Sequence, residues 1–165
     1  NLLTFARQQP QDKRAVDINE PIKTVLQLRD HEQSINNIVV STHFAPDLPQ
    51  IVGNSSQLQQ VFFNIVTNAE QAMLETHNKG TLTVTTKQIG NLVRASFADD
   101  GPGISRENMT RLFSPFFTTK EPGKGTGLGL SICQGIVNEH NGKIWAESEQ
   151  GKGATFIVEL PICKS

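Results

Sequence analysis

The sequence predicts an α+β protein: a two-layer α/β sandwich whose mixed, mostly antiparallel sheet is covered on one face by helices. Three observations carry that reading. Helical and strand-type segments are interleaved along the chain. Two strand pairs with short glycine-containing turns occupy the second half, and the last of them closes it. Between those pairs, residues 101–126 lose regular periodicity, apart from one short helical stretch, before a final helix begins. This order suits a two-layer sandwich better than a doubly wound parallel sheet, and 165 residues suffice for one compact domain with a real core.

Each element follows from its pattern. "NLLTFARQ" reads as the tail of a helix that begins upstream, so the chain is expected to be cut from a longer protein. Pro10 and the polar residues to Arg14 break that helix. Asp17 is placed to cap a second helix, with Ile18, Ile22, Val25, Leu26 and Leu28 on one side and Pro21 tolerated in the first turn. In "NIVVSTHF" Ile38, Val40, Thr42 and Phe44 alternate on one strand face, and "APDLPQ" follows as a loop. From Ser55 or Ser56, residues Leu58, Val61, Phe62, Ile65, Val66, Ala69, Ala72 and Met73 form the apolar stripe of a long helix.

"HNKG" turns the chain into "TLTVTTKQIGNLVRASFADD", a hairpin about Gly90-Asn91. Within the irregular stretch only a short helix capped by Ser105 is expected, which marks the remainder as a candidate functional loop or lid. "LGLSICQGIVNEH" is a helix stopped at Asn141-Gly142. "KIWAESEQ" and "GATFIVELP" pair as a second hairpin around Gly151 and Gly153.

Composition narrows the function. With 15 Lys and Arg against 16 Asp and Glu, the net charge is −1, so no broad phosphate-backbone footprint exists and nucleic acid is not the expected partner. No apolar run approaches a membrane span and no signal-peptide pattern is present, so no membrane insertion is expected of this stretch. Cys133 and Cys163 lie far apart without metal-ligand spacing, which points to a reduced, cytoplasmic setting.

The segment "GKGTGLGLS", residues 123–131, has four glycines in nine positions. It is not a Walker A loop, because the Gly-Lys pairs at 123, 142 and 151 lack the upstream glycine and the following hydroxyl. Leu130 stands where the Rossmann pattern needs its third glycine, and no HRD or DFG sequence accompanies a protein-kinase loop. What remains, Gly125-x-Gly127-x-Gly129 directly before a helix, suits either an anion site or a flexible linker into a core helix. Upstream, "DDGPGI" ends a strand. Asp99 there can accept from a base amino group beside bare glycine backbone, or can serve an Asp-Gly turn. Asn64 and Asn68, spaced i and i+4, share a helix face, either as satisfied asparagines or as amide ligands for phosphate-bound Mg²⁺.

Taken together, the motifs resemble the catalytic ATP-binding domain of sensor histidine kinases, in the GHKL superfamily. "QLQQVFFNIVTNAEQAM" is similar to the N box, "DDGPGI" to the first glycine box and "RLFSPFFTTK" to the F box. "GKGTGLGLSI" and "GKGATFIVELP" resemble the second and third glycine boxes, and the wording is most similar to the nitrogen-sensor-type subgroup. The resemblance implies the Bergerat-type ATP-binding fold over residues 11–165. It also implies that residues 1–10 are the end of the preceding dimerisation and phosphoacceptor helix.

The roles that follow are those the resemblance implies. Asn68 would hold Mg²⁺, with Asn64 near the same phosphates and Lys120 completing the catalytic set. Asp99 would accept from the adenine amino group, Gly101 and Gly103 would let the base pack closely, and Ile104 and Leu130 would wall it. Phe113, Phe116 and Phe117 would anchor a lid over about 104–126. Thr118, Thr119, Lys120, Gly125, Thr126, Gly127, Leu128 and Gly129 would face the nucleotide. Thr155 would bond near the adenine. ATP and Mg²⁺ are the implied cofactors.

The implied partners are the chain's own phosphoacceptor domain, in a homodimeric parent, and a response regulator. An inner-membrane sensor is one option for that parent.

Two departures stand out: Gln71 where many members carry Lys, and Asn54 where Asp often precedes the N-box helix. ATPase members of the superfamily place a general-base Glu four residues before the Mg²⁺ Asn. Here that residue is Asn64, which cannot take a proton from water and so favours transfer to an external nucleophile over hydrolysis. His31-Glu32 resembles a phosphoacceptor pair but lacks the downstream Pro, and His140 reads as a helix-end residue favoured by the dipole. The rival readings are a regulatory ATP-binding module without chemistry and a serine kinase of the anti-sigma type.

Overall fold

The computed structural model of the chain describes residues 13–115 and 129–163. In chain order the elements are β1 (Arg14–Val16), α1 (Asn19–Ile35), β2 (Ile38–His43), β3 (Ile51–Gly53), α2 (Ser55–His77), β4 (Gly80–Ile89) and β5 (Leu92–Ala98). They continue with α3 (Arg106–Met109), α4 (Gly129–Glu139), β6 (Lys143–Ser148) and β7 (Ala154–Pro161). None of the described helices is long and apolar enough to cross a membrane.

The main sheet runs β2-β4-β5-β7-β6, with β2 parallel to β4 and every other neighbour antiparallel. The parallel pair follows from connectivity, because α2 fills the crossover that returns the chain to the same end of the sheet. Both hairpins fall where their turn residues put them. Ile89 pairs with Leu92 across Gly90-Asn91, and Ser148 pairs with Ala154 across the Gly151 and Gly153 turn.

Period-two patterning sends Val84, Phe97 and Phe156 to one face, where they join Ile22 of α1, Phe62 and Ile65 of α2 and Val137 of α4 in a single core. The Phe62 and Phe97 rings meet at 5.6 Å between centroids. Burying each such side chain contributes about 2–3 kcal/mol. The opposite face carries Ile157 and Glu159, and Arg94 bonds Glu159 at 2.7 Å while lying over the Trp145 ring. The sandwich of one helix layer on one mixed sheet is therefore the architecture that the sequence predicts.

Three expectations need correction. Leu28 is 66% exposed rather than part of the α1 stripe. The inner line of α1 passes from Val25 to Arg29 and Gln33, and at about 100° per residue Leu28 turns off that line. Arg29 and Gln33 both bond the buried Glu70 of α2, at 2.6 and 2.7 Å, so the second half of the helix contact is polar. The polar stretch expected to end the first helix runs into β1 at Arg14, and β1 pairs antiparallel with β3, which no sequence pattern marks because three residues carry too little periodicity to show. Asp17 does close the start of α1, its carboxylate accepting from Asn19 N–H at 3.0 Å.

His140 is the third. It stands directly after the last residue of α4, as expected of a helix-end residue, but it is buried at 3% exposure instead of facing solvent. Its Nε2 accepts from Asn54 N–H at 3.0 Å and its Nδ1–H donates to the Ile136 carbonyl at 2.8 Å, a neutral ring in one tautomer. Burial above all, then Lys13, pushes its pKa below the ordinary 6.5, against opposing pulls from Ile136 and Glu139. A lowered folded pKa gives stability that is present above 6.5 and lost as the pH falls through the folded value. Denaturant titrations between about pH 8 and pH 5 are expected to show that loss, and His140→Gln is expected to flatten it.

Candidate functional site

The site begins where β5 ends. Asp99 continues the inward alternation of Phe97 and is 9% exposed. Its backbone N–H donates to Ala154 O at 2.9 Å, and its Oδ1 accepts from Gly101 N–H at 2.9 Å and Ala154 N–H at 3.2 Å. Both bonds go to the same oxygen, which leaves Oδ2 open to a ligand's donor. Burial raises the Asp99 pKa, helped by the neighbouring Asp100, while the two backbone N–H groups pull it down.

Glycine is required around this carboxylate because backbone lies where a side chain would be. Gly153, at φ +83°, leaves no room for a Cβ against the Asp99 carbonyl. A Cβ on Gly101 would sit 3.1 Å from Asp99 Oδ1 and 3.3 Å from the Ala72 carbonyl carbon. Gly101 therefore seats directly on α2. The cradle is bare backbone on two sides and a carboxylate at its base, the acceptor and shape set that a flat base with an amino group fits.

Helix α2 links this cradle to a second cluster. Its start is fixed by Asn54, whose side chain accepts from Gln57 N–H at 2.9 Å, so Asn performs the capping expected of Asp there. The fixed helix presents Asn64, Asn68 and Ala72 at four-residue intervals, about 12 Å from first to last. Ala72 touches the Gly101 cradle, and Asn64 Nδ2 donates to the Gly129 carbonyl at 3.3 Å. Asn68 lies between them, half-buried. Behind Asn64, the Cys133 thiol is fully buried and pushed up to about 12 by that burial, which makes it inert. The described residues contain no cluster of three or more His, Cys, Asp or Glu able to hold a metal. The Asn68 amide oxygen is a hard donor of the kind Mg²⁺ accepts when phosphates and water fill most of its shell.

Most expected site residues that fall within the described range come together here: Asn64, Asn68, Asp99, Gly101, Gly103, Ile104 and Gly129. Leu130 and Phe113 pack half-buried against the core. Phe116, Phe117, Thr118, Thr119, Lys120, Gly125, Thr126, Gly127 and Leu128 lie outside the described residues, as do residues 1–10. Thr155 is a correction. Phe156 points into the core, so alternation along β7 turns Thr155 to the opposite face with Ile157. The neighbouring Ala154 meets Asp99 instead. Ala154 and Ser148 escaped the sequence reading; the register of the second hairpin would have pointed to both, since they are partners across it.

Comparison with known proteins identifies the family. Residues 53–164 match the family described as Histidine kinase-, DNA gyrase B-, and HSP90-like ATPase. The chain belongs to that family. Sporulation kinase C of Bacillus subtilis (strain 168) is 39% identical over 162 residues, which cover 98% of this chain and 37% of that kinase. The chain thus spans little more than a third of that relative's length. Among solved structures, the nucleotide-free catalytic domain of histidine kinase ThkA matches with a TM-score of 0.81 at 35% identity, over 92% of this chain and 97% of that one. Full-length ShkA in complex with AMPPNP also matches with a TM-score of 0.81, at 28% identity over 93% of this chain and 32% of that one.

Proposed function

We propose that this chain binds Mg-ATP and donates the γ-phosphoryl group to a histidine on the phosphoacceptor domain preceding it in its parent, in two-component signalling. The observation that carries the reading is Asn64. It stands one helical turn before Asn68 with its amide on the Gly129 carbonyl, where a hydrolytic member would have a general-base carboxylate. An amide cannot take a proton from water, so the γ-phosphoryl group waits for an external nucleophile. The complex of ShkA with AMPPNP supports a nucleotide at this kind of site.

In this reading Asp99 orients the base, through Oδ2, on the cradle of Gly101, Gly103 and Gly153. Ile104 and Leu130 exclude water from its edges. Asn64 fixes the start of α4 so that its free N–H groups face the phosphates. Asn68 holds the metal ion, which neutralises phosphate charge when bound. Positioning of this kind suffices, because a loose phosphoryl transition state needs placement and charge more than covalent help.

Mg²⁺, Lys120 or Lys124 meets the phosphate charge in place of the Lys absent at Gln71, and the residues from about 104 to 126 act as a lid. Residues 1–10 end the phosphoacceptor helix and 11–165 form the ATP-binding domain, in a cytoplasmic setting. The parent dimerises through the preceding domain, and a response regulator receives the phosphoryl group next. Incubating this chain with γ-labelled ATP and the separately produced phosphoacceptor region of its parent tests the proposal. Label is expected on that region, and binding of ATP without transfer would favour the regulatory module.

A further inference from the structure

We propose that Ser148 is a positioning residue for the nucleotide, pinning Ile104 to the turn whose end supplies the Asp99 carboxylate with one of its two partners. The inference rests on the ATP-binding reading above.

Two backbone segments meet beside Asp99: residues 99–105, and the turn 148–154 between β6 and β7. Four contacts join them. Two run between Asp99 and Ala154, and a third from Gly151 N–H to the Pro102 carbonyl at 2.6 Å. The fourth uses the Ser148 hydroxyl: Ile104 N–H donates to Ser148 Oγ at 2.7 Å. The same hydroxyl donates its one proton to the Gly153 carbonyl at 2.9 Å. Accepting at one end and donating at the other fixes the rotor and ties Ile104 to Gly153 through one atom.

Each end of that tie leads to the site. Gly153 rests on the Asp99 backbone, and its neighbour Ala154 holds Asp99 Oδ1. Ile104 is the last residue of the "DDGPGI" segment, and Gly103 before it approaches Glu149 so closely that a Cβ would lie 2.5 Å from that carbonyl oxygen. Without the hydroxyl, Ile104 N–H and the Gly153 carbonyl lose a shared partner, and the two segments can part. Ser148 does not belong to the hydrophobic core, and its strand pairing with Ala154 uses backbone alone. Its removal should therefore loosen the site more than the fold.

The experiment measures ATP affinity, melting temperature and exchange of the Ile104 amide for the unsubstituted chain, Ser148→Ala and Ser148→Thr, with binding read well below the melting range. Ser148→Ala is expected to bind ATP about tenfold more weakly, since a lost part-buried hydrogen bond with two orphaned partners is of that size. Its Ile104 amide should exchange faster, and Ser148→Thr, which keeps the hydroxyl, should restore both. Unchanged ATP affinity in Ser148→Ala overturns the proposal alone, as does a folded Ser148→Thr that restores neither property. Failure of the unsubstituted chain to bind ATP overturns the ATP-binding reading and this proposal with it.

Discussion

Asp99→Asn is expected to weaken ATP binding by at least about a hundredfold while leaving the protein as stable as before, or more so. The two halves of that result come from one fact, the burial of a carboxylate with one oxygen left open. Oδ1 is committed to Gly101 and Ala154, and an amide oxygen can serve both of them equally well. The other position changes from acceptor to an NH₂ donor, which would face the amino group of the adenine. A site that is built to pair with a polar group rejects a mismatched donor far more strongly than it rejects a change in size.

Stability moves the other way. Burial holds the Asp99 pKa above its usual 3.8, so the folded state favours the neutral form. The contribution of such a group is fully present below 3.8 and is lost as the pH rises through the folded value. Above the folded value the ionised carboxylate therefore costs stability that Asn does not. Calorimetric titration with ATP and thermal denaturation without it check the two halves, and a variant that binds ATP normally contradicts the base-recognition role.

Asn68→Ala carries the second large effect. The side chain is half-buried, and among the described residues it has no hydrogen-bond partner, so little stability should go with it. Its proposed work is done only when metal and phosphates are present. The variant is expected to lose the Mg²⁺-dependent part of ATP affinity and to slow phosphoryl transfer by about a hundredfold, within the range for removal of one electrostatic stabiliser. Titrations with and without chelator separate this from a general loss of binding. The unsubstituted chain should weaken when Mg²⁺ is withdrawn, whereas Asn68→Ala should respond little. A variant as Mg²⁺-dependent as the unsubstituted chain removes the metal from Asn68.

Much of this was legible before any coordinates. The stripe from Leu58 to Met73 and the alternation in "TLTVTTKQIGNLVRASF" are strong periodic signals, and both elements stand where they were read. Asp99 and Gly101 were legible because a strand end, an acid and glycines occur together in one short segment. The misses share a cause: they depend on what a residue meets across space. Nothing in the sequence around Arg29 and Gln33 signals that the buried Glu70 lies opposite them. His140 looks like a dipole partner until Asn54 N–H reaches its ring. Thr155 is the hydroxyl inside the third glycine box, yet the pleat turns it to the other face and the Ala154 N–H meets Asp99.

The central claim is that this chain hands a phosphoryl group to histidine, and transfer measures it most directly. With γ-labelled ATP, Mg²⁺ and the phosphoacceptor region of the parent, label should appear on that region, be lost in acid and survive in base. It should fail to appear when the acceptor histidine is replaced. ATP bound at full occupancy with no label moved, or label that is acid-stable on a serine, would contradict the account.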